Sequence, residues 1–345
     1  MSGETSISAM RPAPGITRRR FLALSAGALA GVCAGSYAGG IRSPSRHVDT
    51  AVMDAARFHA LRRYTHTAFG RIAHVERGSG PAALFLHGFP LNGFQWRGAL
   101  DRLAAYRRCI APDFLGLGYT EVADGQSCAP QAQVAMLVAL LDALGVERAD
   151  VVANDSGGAI AQLLLAHHPE RVRSLLLTNC DTELDCPPPA LLPVIALAKQ
   201  GRFVDDWLGT WRHDHALARS AAGIGGMCYA NPAHPTDEAI ETYFAPLLAS
   251  RRSRDCTHAY AVALERNALA GIGPALARSR APVRIVWGDA DTIFSADNAG
   301  FLDRAFGHSL GVRHLKNSKL FWPEERPDVI AEEAHRLWTT QGDQA

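Results

Sequence analysis

The sequence predicts an α/β fold: a mostly parallel central sheet with helices on both faces and an inserted helical cap. Three observations predict it. Short apolar runs alternate with helix-like stretches over most of the chain, the pattern of parallel strands joined by crossover helices. One run, Val151-Val152-Ala153, stops at Asn154-Asp155-Ser156-Gly157-Gly158 and passes at once into a helix-like stretch over 159–168. Between 181 and 281 the alternation breaks. That stretch opens with Pro187-Pro188-Pro189 and continues with helical segments rich in Ala, Leu, Trp and His. An insertion of this kind is expected over the carboxyl ends of the strands, where ligands bind in open α/β sheets.

Taken in order, residues 1–38 read as an export signal. Thr17-Arg18-Arg19-Arg20-Phe21-Leu22 matches the twin-arginine pattern. The apolar stretch over 21–32 is too short to span a bilayer and suits a signal-peptide core; a short membrane anchor is the other reading. Ser36-Tyr37-Ala38 offers small residues for cleavage after Ala38. The expected partner is the twin-arginine translocase, and the expected location is the periplasm or the medium. The mature form is not expected to be embedded in a membrane. Residues 39–60 read as a linker merging into a helix, 61–181 as the first part of the core, 182–281 as the cap and 282–345 as the second part of the core.

Within the core, 69–77 alternates as a half-buried strand does, and Gly78-Ser79-Gly80-Pro81 is a turn. The runs over 82–86, 109–113, 151–153, 173–178, 283–288 and 312–315 read as strands, those that are continuously apolar being covered on both faces. The stretch over 131–144 has helical spacing and stops at Gly145, and 325–340 closes the chain with an amphipathic helix.

The chain has 345 residues, 48% of them hydrophobic, enough for a large core. A net charge of +1 gives no electrostatic case for nucleic acid or an anionic membrane surface. Beyond Cys33 there are six cysteines: Cys109, Cys128, Cys180, Cys186, Cys228 and Cys256. An oxidising compartment permits disulfides among them, and Cys180 and Cys186 are the nearest pair in sequence, but mostly buried free thiols are the favoured reading. No CxxC is present and the spacing matches no zinc site, so neither metal nor organic cofactor is implied.

The central stretch has the grammar of a strand-to-helix elbow with a reactive side chain at its tip. The tip is strained, so the positions two before and two after it must be small. Ala153 and Gly157 fill those positions when Asp155 is the tip; a Ser156 tip would put Asn154 where crowding demands Gly or Ala. A carboxylate attacks esters poorly but attacks sp³ carbon bearing a leaving group well, and it leaves an alkyl ester that water must cleave.

These motifs, with His87-Gly88-Phe89-Pro90, Trp96, the run from Pro112 to Gly118 and Trp287-Gly288-Asp289-Ala290-Asp291, resemble the α/β-hydrolase superfamily, in particular its haloalkane dehalogenase and epoxide hydrolase branch. The resemblance spans 69 to the C-terminus. It implies Asp155 as nucleophile on a small-molecule epoxide or alkyl halide, with the backbone N–H groups of Phe89 and Ser156 as the oxyanion hole and Asp291 as the acid. It also implies a cis bond before Pro90 and a loop-fixing rather than catalytic role for His87. Trp96 is a pocket-lining candidate that also suits core packing, and Tyr229, Tyr243 and Tyr260 are cap tyrosines able by location to protonate an opening epoxide.

The sequence departs from that pattern at two places. Haloalkane dehalogenases place a halide-binding Trp after the nucleophile and an Asn or second Trp near the oxyanion loop; here Ser156 and Phe89 stand there, and Phe89 is closer to the epoxide hydrolase or general esterase form of the motif. The second departure is the catalytic histidine. Relatives carry a histidine seven residues before the proline of an H-F-x-x-E-E-x-P stretch; here the stretch is Leu320-Phe321-Trp322-Pro323-Glu324-Glu325-Arg326-Pro327, and Leu320 takes the histidine position. General base catalysis is worth ~10²–10⁴-fold. His314, His213, His215 and His258 are not at the position of the base. Alternatives therefore stand beside the hydrolase reading: a non-hydrolytic or catalytically impaired ligand-binding protein of this fold, or an ester or lactone hydrolase using an unassigned histidine.

Overall fold

A computed structural model describes residues 53–339. The expected export signal and residues 39–52 of the expected linker lie outside the described residues; the rest of that linker runs into the first helix. Helix α1 (Ala55–Leu61) leads into a hairpin of β1 (Arg62–Thr67) and β2 (Gly70–Arg77), paired antiparallel from Arg62 opposite Val75 to Thr67 opposite Gly70. There follow β3 (Ala82–Leu86), α2 (Arg97–Leu103), β4 (Arg108–Pro112), the short β5 (Glu121–Val122) and α3 (Pro130–Ala143). The elbow joins β6 (Ala149–Asp155) directly to α4 (Ser156–His167), and β7 (Val172–Cys180) follows.

The sheet order is β1-β2-β4-β3-β6-β7 and then β8 (Val283–Gly288) and β9 (Ser309–Leu315), with β5 beside β2. From β4 onward along that order the pairings are parallel. Helix α12 (Asp297–Ala305) links the last two strands, and α13 (Trp322–Glu325) and α14 (Pro327–Thr339) close the described chain. Every residue of β3 and β6 is buried, which is why the runs over 82–86 and 151–153 are continuously apolar rather than alternating. Helix α2 packs on α14 and α3 on α4, and β7 touches both α4 and α14, so helices cover both faces.

Between β7 and β8 the chain holds α5 (Leu192–Lys199), a π-helical turn (Val204–Gly209), α6 (Thr210–His213), α7 (His215–Ala218), α8 (Ile224–Cys228), α9 (Asp237–Leu248), α10 (Arg251–Ala263) and α11 (Gly273–Arg278). These helices dock on loops at the carboxyl ends of the strands. The Asn92 amide donates to Thr242 O (2.9 Å) and the Thr257 hydroxyl to Gly116 O (2.9 Å). A buried ionic cluster reinforces the docking: Arg97 donates to Glu324 at 2.6 Å, and the Tyr229 hydroxyl donates to the other Glu324 oxygen at 2.6 Å. No described helix is long and apolar enough to cross a membrane.

Candidate active site

The elbow forms because the residues around it are small. Asp155 has φ 55° and ψ −133°, a conformation that costs a non-glycine residue about 1–3 kcal/mol. It is tolerated because α4 runs hard against the end of β3: a Cβ at Gly157 would stand 2.5 Å from His87 O and 2.6 Å from Leu86 O. Gly88 is equally confined, since a Cβ there would meet the Asp155 carboxyl at 2.7 Å. The side chain at the tip is thus held against the 87–90 loop, and the bond between Phe89 and Pro90 is cis.

Two N–H groups converge on that carboxyl. Phe89 N donates to Asp155 Oδ2 at 2.6 Å, and the Ser156 backbone N–H donates to the same carboxyl. Both favour the anion, but burial outweighs them, and with the nearby Asp291 charge it pushes Asp155 up to about 7. Asp291 is itself pushed up to about 6 by burial, although it accepts from Ile293 N (2.8 Å) and from Asn179 Nδ2 (2.8 Å). Asn179 is tied in turn to both backbone groups of Gly288 and to Trp322 Nε1 (3.1 Å), so β7 fixes the acid that follows β8.

A third carboxyl is present that sequence reasoning passed over. Asp181 is buried at the end of β7, where burial and then the charge of Asp155 raise it well above the usual carboxylate range. The signal for it was the parallel pairing of the elbow strand with the strand after it, which sets Asp155 opposite Cys180. Asp155 is thus repelled by Asp291, and Asp181 by Asp155.

A polar chain locks the frame. Gly88 N donates to Gln95 Oε1 (2.9 Å), Gln95 Nε2 to Asn154 Oδ1 (2.7 Å), and Asn154 Nδ2 to Thr178 Oγ1 (2.8 Å) and Leu320 O (3.1 Å). Leu320 is therefore held to the elbow through its backbone, while its side chain is buried and carries no proton. His87 has both nitrogens committed: Nε2 accepts from Phe114 N (3.1 Å), so Nδ1 carries the hydrogen donated to Gly88 O (2.9 Å). Burial pushes it down to about 4, which keeps it neutral.

Three of the histidines named above are engaged elsewhere, His215 with Asp237 at 3.0 Å. His258 accepts from Val204 N, and His314 pairs with Asp289 at 2.7 Å on the surface. Among the described residues, no histidine is hydrogen-bonded to Asp155 or Asp291. Trp96 is fully buried, with its ring 5.7 Å from that of Phe85. Of the three cap tyrosines, Tyr229 and Tyr243 contact the Arg97–Glu324 cluster. Tyr260 alone reaches the elbow: its hydroxyl lies 3.0 Å from Ser156 Oγ, and its ring stacks on Phe89 (5.4 Å, 4°). Phe203 stacks on Phe89 in turn (5.6 Å). Among the described residues no cluster of His, Cys, Asp and Glu is arranged to hold a metal ion.

This geometry can be set beside known proteins. The model of the alpha/beta hydrolase fold matches residues 81–317. The chain belongs to that family. Among alpha/beta hydrolases it is 26% identical over 287 residues to haloalkane dehalogenase 2 of Mycobacterium bovis, covering 78% of this chain and 92% of that protein. A shorter match, 41% over 105 residues, is to the 2-hydroxymuconate semialdehyde hydrolase of a Pseudomonas species, covering 30% of this chain and 37% of that one. Of solved alpha/beta hydrolase structures, the epoxide hydrolase CorEH superposes with a TM-score of 0.67 at 20% identity, over 81% of this chain and 99% of that one. The haloalkane dehalogenase DbeA of Bradyrhizobium elkani superposes equally well, at 24% identity over 82% and 99%. The last two likenesses concern the fold.

Proposed function

We propose that this protein takes up a small organic electrophile, an epoxide or an alkyl halide, and binds it covalently through Asp155. An Asp155 oxygen attacks the sp³ carbon. The carbon–halogen or carbon–oxygen bond breaks, and the leaving group departs with the electron pair. For an epoxide the departing oxygen takes its proton from Tyr260, the one cap tyrosine bonded to the elbow. The product is a neutral alkyl ester on Asp155. Water attacking that ester develops an oxyanion facing Phe89 N–H and Ser156 N–H. The observation that carries the reading is the Asp155 carboxyl at the elbow tip with Phe89 N–H at 2.6 Å.

Leu320 makes the second half of the cycle slow, because no imidazole is there to take a proton from water. The same residue favours a second reading, a ligand-binding alpha/beta hydrolase that has given up turnover. An ester or lactone hydrolase built on Ser156 has less support, since Ser156 Oγ is bonded to Tyr260 and not to a base. We further read residues 1–38 as a twin-arginine signal that exports the folded protein, supported by the pattern from Thr17 to Leu22.

Intact-mass analysis after incubation with a panel of alkyl halides and epoxides tests the reaction. A persistent adduct on wild-type protein, mapped to Asp155 and absent from Asp155→Asn, is expected. The absence of both adduct and turnover across the panel would sink the proposal. Leu320→His, which restores a base beside the elbow, is expected to shorten the lifetime of the adduct by ~10²-fold or more.

A further inference from the structure

The six described cysteines are free thiols, the nearest pair in sequence, Cys180 and Cys186, included. Cys128 and Cys256 are hydrogen-bonded through their thiols although they are far apart in sequence. Cys128 is buried in the loop before α3, where its carbonyl accepts from Gln133 Nε2 (3.0 Å). Cys256 is half-buried on cap helix α10, one residue before Thr257. Both close on Gly116, where a Cβ would stand 3.1 Å from Cys128 Sγ and 2.7 Å from Cys256 O.

We infer that Cys128 and Cys256 form a thiol–disulfide exchange site that fastens cap helix α10 to the core. The two sulfurs are already brought together by contacts that do not involve them. Thr257 Oγ1 donates to Gly116 O (2.9 Å), and Arg252 binds both the Asp124 carboxylate and Val122 O. The division of labour follows from burial. Cys256 is the partly exposed thiol, drawn down to about 7 by the Cys128 hydrogen bond and the Arg252 charge, against opposition from burial and Asp255. Cys128 is enclosed, and that hydrogen bond together with burial raises it. The Cys256 thiolate attacks a low-molecular-weight disulfide and forms a mixed disulfide, releasing one thiol. Cys128, losing its proton, attacks Cys256 Sγ and displaces the second thiol. Two protein thiols are thereby oxidised and one external disulfide is reduced to two thiols.

Closing so long a stretch of chain constrains the unfolded state strongly. The site stands independently of the reaction assigned to Asp155.

The test uses the full chain equilibrated with excess oxidised glutathione, with remaining thiols blocked by N-ethylmaleimide. A non-reduced digest is expected to give one cross-linked peptide pair joining Cys128 to Cys256, lost on treatment with dithiothreitol. The oxidised protein is expected to melt several degrees above the reduced one, a difference that Cys256→Ser removes. In Cys128→Ser, Cys256 is expected to remain as the glutathione mixed disulfide. Recovery of the two wild-type peptides unlinked, each alkylated or glutathionylated, would overturn the inference, as would a Cys180–Cys186 link in place of this one.

Discussion

Asp155 is costly to keep. Its carboxyl is buried, its backbone is strained, and Asp291 repels its charge. The folded-state pKa of about 7 lies above the ordinary value of 3.8. The folded protein therefore holds a proton that the unfolded chain releases near pH 4, so this residue's contribution to stability is greatest below pH 4 and is lost as pH rises towards 7. At about 1.4 kcal/mol per pH unit, Asp155→Asn is expected to stabilise the protein by on the order of 2–4 kcal/mol at pH 8 and by less at pH 5; denaturant unfolding at the two pH values measures this. The ionised form alone is nucleophilic, so the rate of adduct formation is expected to rise through a midpoint near pH 7. A residue that destabilises its own fold while being tightly framed has the signature of a functional site. Asp155 was legible in the sequence because strain leaves a mark in spacing: only small neighbours permit it. Asp181 left no such mark, since its approach to Asp155 is set by strand pairing and not by local crowding.

The elements differ in how plainly the sequence announces them. The buried strands β3, β6 and β7 stand out as short apolar runs because water touches neither face. Strand β1 did not stand out. Arg62-Arg63-Tyr64-Thr65-His66-Thr67 lies at the sheet edge with no residue fully buried, so nothing selects apolar side chains there, and its existence depends on the β2 backbone beside it. The cap was legible as an interruption, but the role of its parts was not. Tyr229, Tyr243 and Tyr260 are equivalent in sequence, and only packing brings the last against Ser156. The elbow element is also where a single methyl group should do most damage. Gly157→Ala forces a Cβ against the backbone oxygens of Leu86 and His87 and is expected to destabilise the fold by about 3 kcal/mol. It should also slow adduct formation, because the displaced loop carries Phe89 N–H away from the carboxyl. Urea unfolding and the adduct rate read the two effects separately.

Across the whole molecule, cap and core are joined by polar contacts as well as apolar ones. Arg97 of α2, Glu324 of α13 and Tyr229 of the cap form one buried cluster, so removing a member strands the others. Glu324→Ala is expected to lower stability by about 3–5 kcal/mol in chemical denaturation, since it leaves the Arg97 charge buried without its counter-ion. The position of β6 between β3 and β7 has a further consequence. One wall of the site is the middle of a parallel sheet, whose amides are expected to exchange with solvent only when the fold opens globally. The facing wall, with Tyr260 and Phe203, belongs to the cap, whose helices contribute no strand to that sheet. On the proposed reaction, the arrival and departure of small molecules are expected to follow local opening of the cap, so that the rate of adduct formation at saturating electrophile reports cap opening and not the chemical step at Asp155.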